Sequence, residues 1–487
     1  MAKTLMIQGT ASNVGKSVLV AGILRVLKQD GYKVAPFKSQ NMALNSFITA
    51  DGYEMGRAQA MQAEAAQIDC DVRMNPILLK PTSDKGSQVI VNGEVVDNMT
   101  AGEYYAVKDK FVVDIMNSFN SLSEEYDIIV IEGAGSPAEI NLNKNDFVNM
   151  GMAYLAKAPV LIVGDIDRGG VFASLYGTVK LTEEKFQPLI KGTIINKFRG
   201  DITILESGLG MLEELTGHKM LGVVPYTNVK LDDEDSLSEK FTKENTPSLI
   251  DIAVIRTPRI SNFTDFNALE YIEGVNLRYV DNARELDDTD LLILAGTKNT
   301  MADLRWIREN GFESKILKHA AKNKAIIGIC GGYQMLGRTL RDPYSVEDGG
   351  QMRGLNLLDI DTVFTKEKTR NRSTDRLSTV DGIFSELSNE EYEGYEIHMG
   401  DSNEEKNLIN KGNTYGSYIH GIFDKENISN VIVKALLREK GLSDDSIKSY
   451  DITKFKQEQY DILADVVRSS LDMDAIYKII EDGVSIM

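Results

Sequence analysis

The sequence is short of cysteine, tryptophan and histidine, with two, one and four of each in 487 residues. Cys70 and Cys330 are too few for a disulfide framework or a cysteine-rich zinc site, and so few thiols suit a reducing compartment. No apolar run approaches the roughly 20 residues that cross a bilayer. The opening MAKTLMIQGT goes straight into a strand pattern without the features of a cleavable leader, so cytoplasmic residence and no membrane partner are expected. Basic charge is also scarce, 54 Lys and Arg against 73 Asp and Glu, a formal net charge of −19. Wrapping a nucleic acid needs a basic surface, so nucleic acid is excluded as a partner.

The length exceeds what one hydrophobic core serves, so two domains and a tail are expected. Apolar runs read as strands at Thr4–Gln8, Lys33–Phe37, Asp127–Ile131, Pro159–Val163, Gly192–Asn196 and Leu221–Val224, separated by helical patterns at Lys16–Lys28, Glu54–Ile68 and Glu103–Leu122. Such alternation predicts an α/β fold with a mostly parallel sheet covered on both faces. The polar stretch Leu231–Ser248 reads as a linker, and alternation resumes at Ile250–Ile255, Leu291–Leu294 and Ala325–Ile329. The expected division is a first domain at 1–230, a linker at 231–248, a second α/β domain at 249–440 and a helical tail at 441–487, amphipathic over Tyr460–Ile480.

Between the first strand and first helix lies GTASNVGKS, Gly9–Ser17. Its glycines are one residue further apart than in the common G-x-x-x-x-G-K-[ST] loop, but the strand–loop–helix context puts backbone N–H groups and a helix start where phosphates would sit. Gly9, Thr10, Gly15, Lys16 and Ser17 are therefore expected to bind ATP, with Lys16 on the terminal phosphates and Ser17 on Mg²⁺. Glu132, closing the apolar run IIVIE, is the second expected Mg²⁺ ligand. Asp165 and Asp167 read equally as catalytic carboxylates or helix caps. Asn196, with Lys197, reads either as a contact to the nucleotide base or as a strand-end turn.

The second feature is GICGG, Gly328–Gly332, between a buried-strand pattern and a helical one at Tyr333–Leu340. Flanking glycines let the chain turn sharply and expose Cys330 as a nucleophile. A thiolate suits attack on an amide, and a helix start and a histidine would stabilise it. Gly331 N–H, with a backbone N–H near Gly296, is expected to hold the oxyanion. His420, after the strand-like Tyr415–Ile419, is the expected base, with His398 as rival; His218 and His319 read as surface residues, and Cys70 as buried and inert.

Together with SQNMALNS (39–46), DGYEMGRAQAMQAEAA (51–66), LLKPTSDKGSQVIVNG (78–93), VGDIDRGGVFASLYGT (163–178) and GYEIHMG (394–400), these motifs resemble the cobyric acid synthases of the CobB/CobQ family, over nearly the whole chain. The resemblance implies a dethiobiotin-synthetase-like P-loop domain followed by a class I-like glutamine amidotransferase domain. It implies ATP- and Mg²⁺-dependent amidation, from L-glutamine, of the b, d, e and g carboxylates of adenosylcobyrinic acid a,c-diamide, with Cys330 as nucleophile and His420 as base.

Two positions depart from related patterns. Class I amidotransferases with a full triad carry H-x-E, but two residues after His420 stands Ile422; the resemblance implies a Cys–His pair instead, which leaves open what fixes the imidazole tautomer. Ala295, in LILAGTKN, stands where proline is expected. A carboxylate-rich substrate and an acidic protein require a local basic patch, expected from Lys38, Arg57, Lys80, Lys85, Arg168 and Arg199. Two alternatives remain: a related amidase such as cobyrinic acid a,c-diamide synthase, and a nucleotide-switch ATPase with a decayed amidase domain. The second would carry an early signature lysine, where Ala11 and Ser12 stand.

Overall fold

The Val- and Ile-rich runs of the N-terminal half become strands buried on both faces. In the computed structural model, which describes residues 1–82, 86–142, 145–232, 248–447 and 451–485, they are β1 (Lys3–Gly9), β2 (Val34–Phe37), β3 (Ile128–Glu132), β4 (Val160–Asp165), β5 (Ile190–Phe198) and β6 (Lys219–Pro225). Their order is β6-β5-β4-β1-β3-β2, every neighbouring pair parallel. The connections turn to opposite sides of β1, so the C-terminal ends of β1, β3 and β4 form the crevice where such sheets bind ligands.

The chain divides into two units. The first comprises Met1–Ala43, Glu54–Glu234 and Lys456–Met487. Its helix α1 (Lys16–Gln29) buries Leu19, Val20, Ile23, Leu24 and Leu27 in the core, and Tyr460, Leu463, Ala464 and Val467 of the C-terminal segment join the same cluster. A Cβ on Gly22 would lie 2.6 Å from Val467 Cγ2, and Arg25 Nε bonds Asp461 Oδ1 at 2.8 Å. The expected helix Tyr460–Ile480 is two helices, Ile452–Ser470 and Met473–Asp482, because Asp472 caps the second by accepting from Ala475 N–H. The expected Glu103–Leu122 helix is likewise divided, into Ala101–Val107, a 3₁₀ turn Lys108–Phe111 and Val112–Glu125. The expected Glu54–Ile68 helix starts only at Arg57 (α2, Arg57–Ala66), after an extended Glu54–Gly56.

The second unit comprises Leu44–Tyr53 and Asp235–Phe455. Its strands are β7 (Ile250–Ile255), β8 (Val275–Val280), β9 (Leu291–Leu294), β10 (Ala325–Ile329), the long pair β11 (Asp361–Arg376) and β12 (Glu391–Asp401), then β13 (Ile409–Lys411) and β14 (Thr414–Ser417). The main sheet runs β8-β7-β9-β10-β14-β13, with only the last pair antiparallel. The helix expected at Tyr333–Leu340 is the shorter α3 (Gly331–Leu336); beyond Gly337 the chain extends into Thr339–Asp342, which pairs with Gly350–Arg353 and β11. Most of the expected linker, residues 233–247, lies outside the described residues. Among the described residues no helix is long and apolar enough to cross a membrane.

Candidate active site

β1 ends at Gly9 and α1 begins at Lys16, so the loop between them sits at the sheet's crevice. Thr10 N–H donates to Val163 O at 2.9 Å, tying the loop to β4. Gly15 has φ 89°, and a Cβ there would lie 2.3 Å from Asn196 Nδ2, so no other residue fits without displacing Asn196. Asn196 donates from that nitrogen to Val14 O at 2.8 Å. Its amide N–H therefore props the loop from the end of β5, as the strand-end reading of Asn196 requires. Lys16 curls over the loop, donating to Ala11 O at 2.9 Å and Gly135 O at 3.2 Å.

Glu132, 1% exposed, gathers the donors beneath the loop. Its Oε1 accepts from Ser17 Oγ at 2.8 Å and from Lys38 Nζ at 2.7 Å, and its Oε2 accepts from Gln62 Nε2 at 2.6 Å. A buried carboxylate needs such partners. Ser17 and Glu132 offer hard oxygens of the kind Mg²⁺ takes when phosphates and water complete its shell. Among the described residues no group of three His, Cys, Asp or Glu side chains stands ready to hold a metal by protein alone.

The expected basic patch is largely paired. Lys38 is bound to Glu132, Lys80 to Glu54 at 2.8 Å, and Arg57 to Asp232 at 2.5 Å, all in buried surroundings where an unpaired charge is too costly. Arg199 pairs with Asp167 at 3.0 Å and lies over the Tyr226 ring. Asp165 accepts from Asp167 N–H at 2.8 Å and pairs with Lys197 at 3.3 Å, which makes it a turn-forming residue. Arg168 is exposed, and Lys85 lies outside the described residues.

In the second unit Cys330 occupies the turn between β10 and α3 with φ 51° and ψ −109°. A non-glycine residue in that region carries about 1–3 kcal/mol of strain, as nucleophile turns do. Around it the backbone is tightly packed: a Cβ on Gly332 would lie 2.0 Å from Leu294 O. Cys330 N–H donates to Ser417 O at 2.8 Å, and its Sγ lies 3.7 Å from Ile397 O.

His420 follows β14 and is buried, 1% exposed. Its ring stacks on Tyr395, centroids 5.3 Å apart at 21°, and Nδ1 lies 2.7 Å from Asp265 Oδ2. Asp265 Oδ1 accepts from Gly421 N–H at 3.2 Å, so the carboxylate is fixed at both oxygens. A Cβ on Gly296 would approach His420 Cε1 to 3.1 Å. Burial alone would lower the proton affinity of His420, but the Asp265 carboxylate and Cys330 outweigh it and push its pKa up to about 10. Among the described residues Nε2 finds no hydrogen-bond partner of ordinary geometry, although Cys330 is close enough to act on the ring. Apo catalytic contacts are commonly looser than those formed with substrate.

His398 is turned to other partners: Nδ1 lies 2.7 Å from Gly400 O, Nε2 3.4 Å from Glu396, and the ring stacks on Tyr418 at 3.8 Å. His319, expected at the surface, is buried with Nε2 3.0 Å from Ala325 O, and burial pushes its pKa down to about 4. Cys70, expected buried, is half-buried.

Residues 5–237 match the CobQ/CobB/MinD/ParA nucleotide binding domain, and residues 251–428 match the CobB/CobQ-like glutamine amidotransferase domain. A cobyric acid synthase from Ruminiclostridium cellulolyticum is 58% identical over 99% of this chain and 98% of that protein. This chain belongs to the cobyric acid synthase family. Cobyric acid synthases from Lachnoclostridium phytofermentans and Caldanaerobacter subterraneus are 57% and 48% identical, each over 99% of this chain and at least 99% of its counterpart. It is thus a glutamine amidotransferase with a nucleotide-binding half.

For this member of the cobyric acid synthase family, Asp265 is what sequence reasoning missed. The H-x-E position holds Ile422, 4% exposed in the apolar core, while the carboxylate beside the imidazole comes from 155 residues upstream. The one trace in the sequence is an aspartate between Phe263 and Phe266, both buried. An acid in so apolar a turn needs a partner.

Proposed function

We propose that the chain amidates the b, d, e and g carboxylates of adenosylcobyrinic acid a,c-diamide, with glutamine as nitrogen source and ATP as driving force. What carries this reading is a phosphate loop and a Cys330–His420–Asp265 constellation on one chain matched end to end by cobyric acid synthases. The two chemistries divide along the chain: carboxylate activation in the first unit, glutamine hydrolysis in the second. No part of the reaction needs a membrane or nucleic acid, and a cytoplasmic setting agrees with its soluble substrates.

In the second unit, Cys330 attacks the glutamine side-chain amide as the thiolate, its proton held by His420. A raised imidazole pKa favours that thiolate–imidazolium pair. Asp265 fixes the tautomer, so that Nε2 faces the reaction. The developing oxyanion takes Gly331 N–H, the first donor of α3, together with the backbone near Gly296. His420 then protonates the departing ammonia, leaving a glutamyl thioester on Cys330; water hydrolyses it to glutamate and the free thiol.

In the first unit, Lys16 and the Gly9–Gly15 backbone hold the ATP phosphates while a substrate carboxylate attacks the γ-phosphorus. ADP leaves, and the resulting acyl phosphate reacts with ammonia to give amide and inorganic phosphate. Ser17 and Glu132 would hold Mg²⁺, which supplies charge neutralisation on the phosphates when bound. Lys38, already on Glu132, holds that carboxylate in place.

The test is incubation with glutamine, MgATP and the a,c-diamide, followed by mass analysis of the corrinoid. Replacement of four hydroxyls by four amino groups supports the reading. An unchanged diamide, with amidation of cobyrinic acid at a and c instead, would assign the chain to the other amidase.

A further inference from the structure

We propose that Gln62 is a positioning residue of the phosphate-loop site: its amide nitrogen sets Ser17 and Glu132 for Mg²⁺, and its amide oxygen accepts a hydrogen bond from the ion's hydration shell. The inference rests on the assignment of Ser17 and Glu132 as the residues that would hold Mg²⁺, and adds a third residue to them.

Gln62 lies on α2, in the stretch 51–66, to which neither half of the reaction gives a part. Amid the alanines of α2, Gln59 and Gln62 are both fully buried. An amide taken out of water is costly unless its polar atoms find partners. Gln8 Oε1, Ser39 Oγ, Gln59 Nε2 and Gln62 Oε1 have none among the described residues of the first unit, and of the four side chains only Gln62 bonds both Ser17 and Glu132.

Which end of the Gln62 amide is nitrogen is fixed by chemistry. The end that lies 2.6 Å from Glu132 Oε2 also lies 3.3 Å from Ser17 O, and both of these atoms are acceptors. Nε2 therefore directs its two hydrogens there, tying the side chain of one expected Mg²⁺ ligand to the backbone of the other. Oε1, one carbon away on the same amide, is the acceptor left without a partner. Beside a carboxylate such an acceptor suits a donor or a cation, which excludes a phosphate oxygen or a substrate carboxylate as its ligand. Mg²⁺ fits, because it keeps several waters when carboxylate and phosphates bind it, and a metal-bound water is a strong donor.

α2 is anchored on either side of this amide. Arg57, at its start, pairs with Asp232 at 2.5 Å, and Glu64 Oε2, near its end, accepts from Tyr460 Oη at 3.0 Å. Gln62 is thus held in place from its own helix. Residues that orient metal ligands in this way typically change metal affinity by about 10–100-fold when replaced.

The experiment measures, by titration calorimetry on the full chain, the Kd of the non-hydrolysable nucleotide AMP-PNP with saturating Mg²⁺ and with EDTA. Wild type should bind more tightly with Mg²⁺. Gln62→Met, close in size but without the amide, should lose at least about tenfold of that advantage, with the EDTA value unchanged. An undiminished advantage in a folded Gln62→Met overturns the inference. Gln62→Glu gives an independent reading: its carboxylate is repelled by Glu132 until a cation joins them, so Mg²⁺ with AMP-PNP should raise its melting temperature further than that of wild type. An equal or smaller rise also overturns the inference. A wild type whose nucleotide affinity ignores Mg²⁺ removes the ion from Ser17 and Glu132, and the inference with it. Loss of the Mg²⁺ advantage in Gln62→Met, in a protein that leaves the diamide unamidated with ammonium, supports the inference and sinks only the proposed substrate.

Discussion

Asp265 Oδ2 lies 2.7 Å from His420 Nδ1, although 155 residues separate them in the chain. The pair supplies the orienting carboxylate that Ile422 does not, from an apolar turn after β7 instead of the strand end after β14. Asp265→Asn keeps the shape but removes the charge and allows the wrong tautomer. It is expected to lower glutaminase kcat by about 10²-fold, with ammonium-driven amidation unaffected. Wild-type kcat in that variant would remove Asp265 from the mechanism.

The same pair makes stability depend on pH in a definite direction. The folded pKa of His420, about 10, lies above its ordinary value of 6.5. Its contribution is therefore fully present below pH 6.5 and is lost as pH rises through about 10. Breaking a buried pair costs about 3 kcal/mol, so the melting temperature of Asp265→Asn should fall furthest below wild type under pH 6.5 and converge with it toward pH 10. A gap that widens with rising pH contradicts the assignment.

The two histidines of the site separate cleanly by substitution. His420→Asn should lose about 10²–10⁴-fold in glutaminase rate. His398→Asn, whose ring nitrogens face Gly400 and Glu396, should retain most of it. The reverse pattern in steady-state assays would transfer the base to His398.

Cys330→Ala should abolish glutamine-dependent amidation yet amidate with ammonium at mildly alkaline pH, where more free ammonia is present. ATP consumption should persist with ammonium and corrinoid. A folded variant dead with both nitrogen sources would refute the separation of roles.

Lys16→Ala should lose amidation with glutamine and ammonium alike, by at least about 10²-fold, since it removes a positive charge from the phosphoryl transfer. Equal rates for variant and wild type would place ATP elsewhere.

What the sequence determined by itself was local. The strands at Thr4–Gln8, Ile250–Ile255 and Ala325–Ile329, the loop before Lys16 and the turn at Cys330 were legible because each is written in consecutive residues, through hydrophobic period, glycine placement and the loop lysine. The family was legible for the same reason, in contiguous motifs. Only the tertiary structure decided which distant groups meet. It brought Asp265 to His420, buried Lys38, Arg57 and Lys80 in ion pairs where a basic patch was expected, packed the residues around Val467 onto α1, and set Phe47 and Ile48 against Tyr395 and Ile397. Partner choice for a buried charge or ring is set by desolvation and by which elements the sheets bring together. Neither leaves a mark in spacing along the chain.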